Sequence, residues 1–417
     1  MATVRKDNNG RILKTNEYQR ADGRYEYKYT EKYKVHSVYS WRLNDSDPTP
    51  IGRKPCKSLR TIEKEIQKSI NNNYNYYDTS RLTLNSIVDR YLDSKINTRE
   101  STEQNYKYMY DRFVRNSLGR VKLCDLMYSD IKGHYTELIK KQLIKVATLD
   151  TLQNVIHPAL TMAVRDRIIP NNPSDSVIGD IKKETDWSYP KKFGLSHQQQ
   201  DALIDFVNSQ PKYARWAATI GVLIGTGLRV SEFVGLCESN LDFENDVINV
   251  DHQLTYRKGK DGKCRFRVGP VKKKASNRSI PMLSDVKKLL LKLCDERTNN
   301  QVIDGTTGFI IQNRYGTVQN PKGINDALKR IVQDYNQQEQ QKAKLENRKP
   351  LILPNITCHT FRHTFCVRLC EELDKIDVIQ SIMGHSDIRT TLDIYNEVNK
   401  DRQKASMTLL EGKIRII

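Results

Sequence analysis

The stretch Cys358-His359-Thr360-Phe361-Arg362-His363 contains the side chains on which the interpretation of this chain depends. It is followed by Met383-Gly384-His385 and then by Tyr395. Imidazoles, a guanidinium and a phenol therefore lie within a short span of a strongly basic chain. Such a set can hold a phosphate and attack it, because a guanidinium binds phosphate oxygens and a phenol can act as a nucleophile.

Two segments upstream add further cations. The segment Gly225-Thr226-Gly227-Leu228-Arg229-Val230-Ser231-Glu232 supplies a second arginine, and the run PVKKKASNRSIP from Pro270 to Pro281 supplies a lysine cluster. In this order, the segments resemble the catalytic boxes of the tyrosine recombinase (integrase) family. The matched pieces are GTGLRxSE, a basic segment ending in RxIP, HTFRHTF, GHSD and a tyrosine after it. Five matches in one order are far more specific than a lone short motif.

The first 80 residues resemble the amino-terminal arm-binding domain of integrases from conjugative transposons. The matching pieces are GRYEYKY, VYSWRL and the segment Lys57-Ser58-Leu59-Arg60. The alternating Tyr25, Tyr27 and Tyr29 predict a strand, and the aromatic, β-branched run Val35–Trp41 predicts another. Apolar residues at helical spacing after Leu59 predict one helix. The sequence thus predicts a small sheet with a helix.

Length and charge narrow the class of protein. A chain of 417 residues is too long for one compact core, so two to four domains are expected. The net charge of +19 and the pI near 9.4 make nucleic acid the expected partner. The sequence has no apolar stretch of the ~20 residues that span a bilayer, and its first residues lack the apolar core of a signal peptide. We therefore expect a cytoplasmic protein without membrane partners, and the resemblance implies a bacterial one.

The eight cysteines include no CxxC pair, which predicts reduced thiols rather than a disulfide framework. Cys358, His359, His363, Cys366 and Cys370 fall at spacings that a helix could direct at a metal. HTFRH, however, lacks the glutamate of the HExxH pattern, and cysteines four residues apart commonly pack in a core. These cysteines are expected in the core, with no metal and no other cofactor.

Three domains are predicted, and the fold class is multidomain, mainly α with small β-sheets. Residues 1–75 form an α+β arm-DNA-binding domain, residues 82–180 a helical core-DNA-binding domain, and residues 193–417 a mixed α/β catalytic domain with a carboxy-terminal tail. Capping boxes at Ser101/Gln104 and Ser196/Gln199 predict helix starts, and a helix is expected around Trp216–Leu236.

Cleavage of a phosphodiester without a metal needs cations for two non-bridging oxygens, a nucleophile and an acid for the leaving alkoxide. Arg229 and Arg362 suit the first task, because guanidinium groups bind phosphate bidentately and stay charged. His359 and Arg362 share one face near the start of a predicted helix, where free amide groups favour a phosphate. Tyr395 is the predicted nucleophile, selected by its position after GHSDIRTT.

Three further residues complete the predicted site. A free phenol has a pKa of about 10, so attack needs cations that lower this pKa or a base that removes the proton. His359 is the candidate base, and His385 the candidate hydrogen-bond donor to the phosphate. Glu232, one helical turn after Arg229, is expected to orient the site; its alternative is a solvated helix carboxylate.

The resemblance implies that a lysine in a β-hairpin before RxIP protonates the leaving 5′ hydroxyl. Lys272 aligns best when Arg278 and Ile280-Pro281 are anchored. The family often has a threonine at the position of Lys273, so Lys273 and Lys274 stay open as alternatives. The cationic residues expected to contact DNA are Lys273, Lys274, Arg278, Arg24, Lys28 and Arg42.

The resemblance implies a site-specific recombinase of a mobile element. Such an enzyme forms a 3′-phosphotyrosyl link and exchanges strands through a Holliday junction without ATP or metal. The implied partners are double-stranded DNA at core and arm sites, three further copies in a tetramer on DNA, and an excisionase as a candidate accessory protein. The alternatives are a type IB topoisomerase, which would relax DNA as a monomer, a non-catalytic DNA-binding regulator and a zinc-dependent nuclease.

The tail after Lys400 carries too many apolar residues for a free segment. It is expected to pack either on its own domain or, as tails do in recombinases of the family it resembles, on a neighbouring protomer. The apolar residues are Met407, Leu409, Leu410, Ile414, Ile416 and Ile417.

Overall fold

The computed structural model describes residues 5–31, 33–71, 81–96, 100–185, 187–188, 194–259, 261–271, 277–373 and 375–396. The chain divides into two compact units, Met1–Pro190 and Lys191–Ile417. The first unit contains two separate hydrophobic cores, one around the sheet and one among helices. The mainly helical architecture with small antiparallel sheets confirms the predicted fold class. The division into three domains stays a prediction.

The first part of unit one is an antiparallel sheet covered by a helix. Its elements are β1 (Glu17–Gln19), β2 (Tyr25–Glu31), β3 (Lys34–Ser40) and α1 (Leu59–Asn71). The strands pair in the order β1-β2-β3. Tyr25, Tyr27 and Tyr29 share one face because side chains alternate along a strand, and each is only 4% exposed. They form a core with Leu59 and Ile66 of α1, so the predicted sheet with one helix is confirmed.

The second part of unit one is helical. Its helices are α2 (Leu84–Asp93), α3 (Glu100–Phe113), α4 (Tyr128–Lys140), α5 (Val146–Arg165) and α6 (Val177–Glu184). The apolar stripe of α5 is fully buried among the other helices. This burial follows from the helical spacing of the stripe. Its members are Leu149, Leu152, Val155, Ile156 and Leu160.

The capping box predicted at Ser101 and Gln104 is wrong. Helix α3 already includes Glu100, so Ser101 lies inside the helix, and the Gln104 amide donates to the Glu100 carboxylate at 3.2 Å. Glu100 and Glu103 both lie in the first turn, where acidic side chains interact favourably with the helix dipole. The motif at Ser101 predicted a helix start there, but the helix already includes Glu100.

Unit two combines helices with small sheets. Its elements are α7 (His197–Ser209), α8 (Ala217–Thr226), α9 (Val230–Phe233), β4 (Leu241–Asp242), β5 (Val247–Val250), β6 (His252–Lys258), β7 (Cys264–Pro270), β8 (Arg278–Pro281), α10 (Ser284–Asp295), α11 (Pro321–Leu345), α12 (Cys358–Glu372), α13 (Ile376–Met383) and α14 (388–396). Strands pair in the order β4-β5-β8, and β6 and β7 form a hairpin. The capping box of Ser196 and Gln199 at the start of α7 is confirmed.

The structure has two helices, α8 and α9, where a single helix was predicted around Trp216–Leu236. Gly227 has a φ of 60° and ends α8, and α9 begins only after Arg229. This left-handed conformation suits glycine because it has no Cβ. The break turns the chain between the two helices and places the Gly227 carbonyl and the Arg229 side chain at the site described below.

Within the described ranges, no helix is both long enough and apolar enough to cross a membrane.

Candidate active site

Arg229 is held in place by Glu232 at the start of α9. The Glu232 carboxylate accepts hydrogen bonds from the Arg229 backbone amide at 3.0 Å and from Nη1 at 2.6 Å. Arg229 Nη2 donates to the Gly384 carbonyl at 3.1 Å. The guanidinium therefore connects α9 to the residue that ends α13. Its side chain keeps 29% of its surface exposed, so it remains accessible to a ligand.

Arg362 is buried beside it. Helix α12 begins after Thr357, whose hydroxyl accepts from the Thr360 amide at 3.3 Å, and Arg362 follows in the next turn. Its Nη1 donates to the Gly227 carbonyl at 2.8 Å, and its Nη2 donates to the Met383 carbonyl. Burial, together with the neighbouring Arg229, lowers the pKa of Arg362 to about 9. At neutral pH the group still carries its charge.

Arg278 contributes a third guanidinium from β8. Its Nη2 lies 3.0 Å from Glu232 Oε2, and its Nε donates to the Ile382 carbonyl at 2.8 Å. Only 4% of the Arg278 side chain is exposed. The guanidinium is therefore placed to hold Glu232, and the contact of Arg278 with DNA stays a prediction.

Glu232 links the cationic groups. It is 3% exposed, and burial alone would raise its pKa. The adjacent Arg278 and Arg229 outweigh this effect, so the pKa of Glu232 lies below its ordinary value. The expectation of an orienting carboxylate agrees with this geometry, and the solvated alternative does not. Two guanidinium groups bind this carboxylate and that of Arg362 lies near it, so the cluster carries excess positive charge and is suited to an anion such as phosphate.

His385 lies beside these arginines, after the left-handed Gly384 that ends α13. Its Nδ1 is 2.9 Å from Thr391 Oγ1. Burial and the positive charges of Arg362 and Arg229 lower the pKa of His385 to about 4. The ring is therefore neutral at pH 7 and can donate a single hydrogen bond from one of its nitrogens.

His359 and Tyr395 border the cluster. His359 is exposed in the first turn of α12, and it is close enough to His385 to contribute to the lowered pKa of that ring. Tyr395 is half-buried in α14 and packs on a small apolar cluster that includes Met383 and Cys366. The Met383 carbonyl is also an acceptor of Arg362, so this apolar cluster adjoins the arginine site. Within the ranges that the structure describes, the Tyr395 hydroxyl makes no hydrogen bond.

The three cysteines of α12 lie in the core, as expected. Cys358 is 2% exposed, and Cys366 and Cys370 are fully buried. Cys366 and Cys370 pack with Ile379 and Met383 of α13. They therefore help to support the helix pair that carries the site.

Lys272, Lys273 and Lys274 lie outside the described residues. The described strands on either side of them are β7, which ends at Pro270, and β8, whose first residue Arg278 binds Glu232. The role of a lysine in this segment stays a prediction.

A second candidate surface lies on the sheet of unit one. We call it the aromatic–basic face, and it lies opposite the face that packs on α1. Lys28 of β2 points there, with its Nζ 5.1 Å from the centre of the Tyr18 ring. The Arg24 guanidinium lies 5.3 Å from the Tyr39 ring and 5.8 Å from the Trp41 ring. Arg5 lies over the Tyr18 ring, Arg20 over the Tyr39 ring and Arg53 over the Trp41 ring.

Arg42, the third predicted contact in this region, donates hydrogen bonds to a neighbouring loop. Its Nε donates to the Asp47 carbonyl at 2.5 Å, its Nη1 to the Cys56 carbonyl at 3.1 Å, and its Nη2 to the Asp45 carbonyl. These hydrogen bonds provide donors for backbone carbonyls of the loop between β3 and α1. The guanidinium therefore supports this loop, and the contact of Arg42 with DNA stays a prediction.

Comparison with known proteins gives two family matches. The phage integrase family matches residues 194–402, and the DNA binding domain of Tn916 integrase matches residues 1–70. The transposase from transposon Tn916 of Enterococcus faecalis is 31% identical over 413 residues, which cover 98% of this chain and 97% of the relative. Tyrosine recombinase XerC of Listeria innocua is 24% identical over 76% of this chain and 93% of its own length.

Two solved structures share the fold. The Tn1549 transposon integrase in complex with transposon right end DNA has a TM-score of 0.68 and 26% identity, covering 79% of this chain and 100% of that chain. A lambda integrase tetramer bound to a Holliday junction has a TM-score of 0.50 and 15% identity, covering 91% of this chain and 94% of that chain. The second likeness concerns the fold alone.

The fold, the arginine–histidine cluster and the relatives define a tyrosine-type site-specific recombinase. The chain belongs to the phage integrase family.

Proposed function

We propose that this protein is the integrase of a mobile element, which cuts and rejoins DNA through a covalent link to Tyr395. The observation that carries the proposal is the cluster of Arg229, Arg278 and Arg362 around Glu232, with neutral His385 beside it. A phosphodiester is the ligand that suits excess positive charge with directional hydrogen-bond donors. The 31% identity to the Tn916 transposase over nearly the whole chain supports the choice of a mobile element.

In the cleavage step, the Tyr395 hydroxyl attacks the phosphorus of the scissile phosphate. A bond forms between the tyrosine oxygen and phosphorus, and the bond from phosphorus to the 5′ oxygen breaks. The DNA keeps a 3′-phosphotyrosyl link. The 5′ oxygen leaves with its electron pair and takes up a proton. The reverse reaction with another strand regenerates the phenol and forms a Holliday junction.

Arg229 and Arg362 bind the non-bridging oxygens, where negative charge increases in the transition state. Both groups are fixed before substrate binds, because each donates to a backbone carbonyl at the ends of α8 or α13. Fixed donors need little rearrangement during the reaction, which is why they lower its barrier. His385 adds a neutral donor to the same phosphate.

Proton transfer is assigned to two other residues. His359 accepts the proton of Tyr395, since its ring is exposed at the border of the cluster. Lys272 gives a proton to the leaving 5′ oxygen, with Lys273 and Lys274 as alternatives. Arg278, four residues after Lys274 in the sequence, binds Glu232, which supports this assignment.

The proposed partners are double-stranded DNA at two kinds of site and further copies of the protein. Unit two carries the site that binds the core phosphate. The match of residues 1–70 to the DNA binding domain of Tn916 integrase supports arm-site binding by the aromatic–basic face. A tetramer on DNA is part of the proposal. An excisionase is proposed as the accessory protein that sets direction.

The test is formation of a covalent adduct with a nicked suicide DNA substrate of element-end sequence, followed on a denaturing gel. We expect an adduct without ATP and with a chelator present. Tyr395→Phe should form none but should bind the same DNA within about twofold, because phosphate contacts carry binding. Tyr315→Phe, at an exposed tyrosine, is the matched control.

Different results would favour other functions. An adduct that persists in Tyr395→Phe would show that another residue is the nucleophile. DNA binding without any adduct from the wild-type protein would favour a regulator, and loss of cleavage on chelation would favour a zinc nuclease. Relaxation of supercoiled DNA by a monomer, without joining two sites, would favour a type IB topoisomerase.

A further inference from the structure

We propose that Thr391 is a positioning residue, whose hydroxyl fixes the tautomer of His385 and ties the helix of Tyr395 to the arginine cluster. The inference rests on the proposed function of the site. It concerns a contact between two residues on either side of the turn that joins α13 to α14.

Thr391 is fully buried in α14 and precedes Tyr395 by four residues, about one helical turn. Its Oγ1 lies 2.9 Å from His385 Nδ1. In the part of the chain that the structure describes, this ring nitrogen is the one hydrogen-bond partner of the hydroxyl. In the proposed arrangement, the hydroxyl donates this hydrogen bond and Nδ1 accepts it.

A neutral imidazole has one donor nitrogen and one acceptor nitrogen. Since Nδ1 accepts from Thr391, the ring proton lies on Nε2, and Nε2 is the donor. Arg229, Arg278 and Arg362 all disfavour a second proton on this ring. The threonine thus turns a ring with two alternative tautomers into a neutral Nε2–H donor for the phosphate.

The same bond joins two parts of the site. The backbone of His385 is tied to α13, because its amide donates to the Gln380 carbonyl at 3.2 Å and its carbonyl accepts from Gln380 Nε2 at 2.9 Å. Its side chain reaches Thr391 of α14. Residues four apart lie on the same side of a helix, so this attachment also affects the position of Tyr395.

Thr391→Val tests the hydroxyl, because valine has nearly the same shape but cannot donate. We expect the rate of adduct formation to fall by roughly 10- to 100-fold, less than the ~10²–10³ for outright loss of a transition-state donor. DNA affinity and thermal stability should change little. Thr391→Ser should restore most of the rate. Thr390→Val, at the exposed neighbouring threonine, is the matched control and should match the wild type.

A double-mutant cycle separates positioning from general support of the helix. If Thr391 acts through His385, adding Thr391→Val to a His385→Ala variant should lower the rate no further. An equal further loss in that background would overturn the inference. If Thr391→Val does not fold, Thr391→Ser and Thr391→Ala allow the same comparison. Adduct formation should then be roughly 10- to 100-fold faster in the serine variant than in the alanine variant.

The adduct assay distinguishes an error about Thr391 from an error about the function of the site. No adduct from the wild-type protein would overturn both. An adduct from the wild type together with a fully active Thr391→Val would overturn the role of Thr391 alone.

Discussion

Glu232 shows how a single residue sets the charge of the site. Its buried carboxylate binds Arg229 at 2.6 Å and Arg278 at 3.0 Å, so the two guanidiniums depend on one partner. Removing one member of a buried ion pair leaves an unpaired charge and typically costs about 3–5 kcal/mol. The same carboxylate also keeps the excess positive charge moderate, which lets three arginines lie close together.

Loss of the Glu232 charge is expected to destabilise unit two. Glu232→Gln should lower the free energy of unfolding of unit two by roughly 3 kcal/mol at pH 7, because Arg278 loses its buried counter-charge. The measurement is urea unfolding followed by Trp216 fluorescence, in a background where Trp41 and Trp187 are replaced by phenylalanine. Glu244→Gln, at an exposed carboxylate in the same unit, should have no such effect.

The pH dependence of this difference follows from the lowered pKa of Glu232. A carboxylate whose pKa is lowered by folding stabilises the protein fully above its ordinary pKa of 4.5. The stabilisation is lost as the pH falls through the lower, folded value. The difference between wild type and Glu232→Gln should therefore shrink only in acid, and a difference that grew on acidification would contradict the assigned ion pair.

At the scale of elements, the break between α8 and α9 positions two groups of the site at once. Gly227 ends α8, its carbonyl accepts from Arg362, and Arg229 follows two residues later. A Cβ built on Gly227 would lie 2.5 Å from Cδ1 of the Phe365 ring in α12. The glycine is thus required both by its backbone conformation and by close packing of the two helices.

Gly227→Ala is therefore expected to destabilise unit two and to slow cleavage. The left-handed backbone alone costs about 1–2 kcal/mol for a residue with a Cβ, and the Phe365 contact adds to this. The Arg362 acceptor would also shift. Urea unfolding and the adduct assay together measure both effects. Gly269→Ala is the control, since nothing lies within 4 Å of its added Cβ; equal behaviour of the two variants would refute the argument.

The segment between β7 and β8 gives another prediction at this scale. A 5′-phosphorothiolate substrate has a leaving group that needs no proton. It should rescue cleavage by Lys272→Ala but not by Arg362→Ala, because the arginine acts on the phosphate rather than on the leaving group. The measurement is the adduct rate on normal and substituted DNA. Rescue of Lys273→Ala instead would move the general acid by one position.

On the scale of the whole molecule, positive charge is used in two different ways. In unit two, the arginines of the site are paired with Glu232 and with carbonyls, so they serve one phosphate. In unit one, Arg24 and Lys28 lie over aromatic rings on an open sheet face. The second arrangement suits contact with an extended DNA backbone, where each cation displaces counterions.

Salt dependence tests this distinction. Replacing both Arg24 and Lys28 by alanine should reduce the slope of log affinity against log salt by roughly two for arm-site DNA, because about one counterion is released per phosphate contact. Adduct formation on core DNA should be unaffected. Lys64→Ala, at an exposed lysine on α1, is the control. An unchanged slope in the double variant would mean that the aromatic–basic face does not bind this DNA.

Patterns in the local sequence predict several strands and helices of this protein correctly. The spacing of Tyr25, Tyr27 and Tyr29 predicts a strand with one buried face, and the helical stripe of α5 predicts a buried helix. The motifs around Arg229 and Arg362 predicted residues that the structure brings into one cluster. These predictions succeed because each depends on residues close together in the chain, where the periods of strand and helix fix the geometry.

The partners of these groups follow from the packing of segments that are far apart in the chain. Arg278 binds Glu232 across 46 residues, and Arg362 binds Gly227 across 135 residues. No sequence period relates such distant positions, so the sequence predicted neither the bond of Arg278 to Glu232 nor that of Arg362 to Gly227. A buried charge needs a partner, but which partner it meets depends on how strands and helices pack. That packing made Arg278 a support for Glu232 and brought Thr391 to His385.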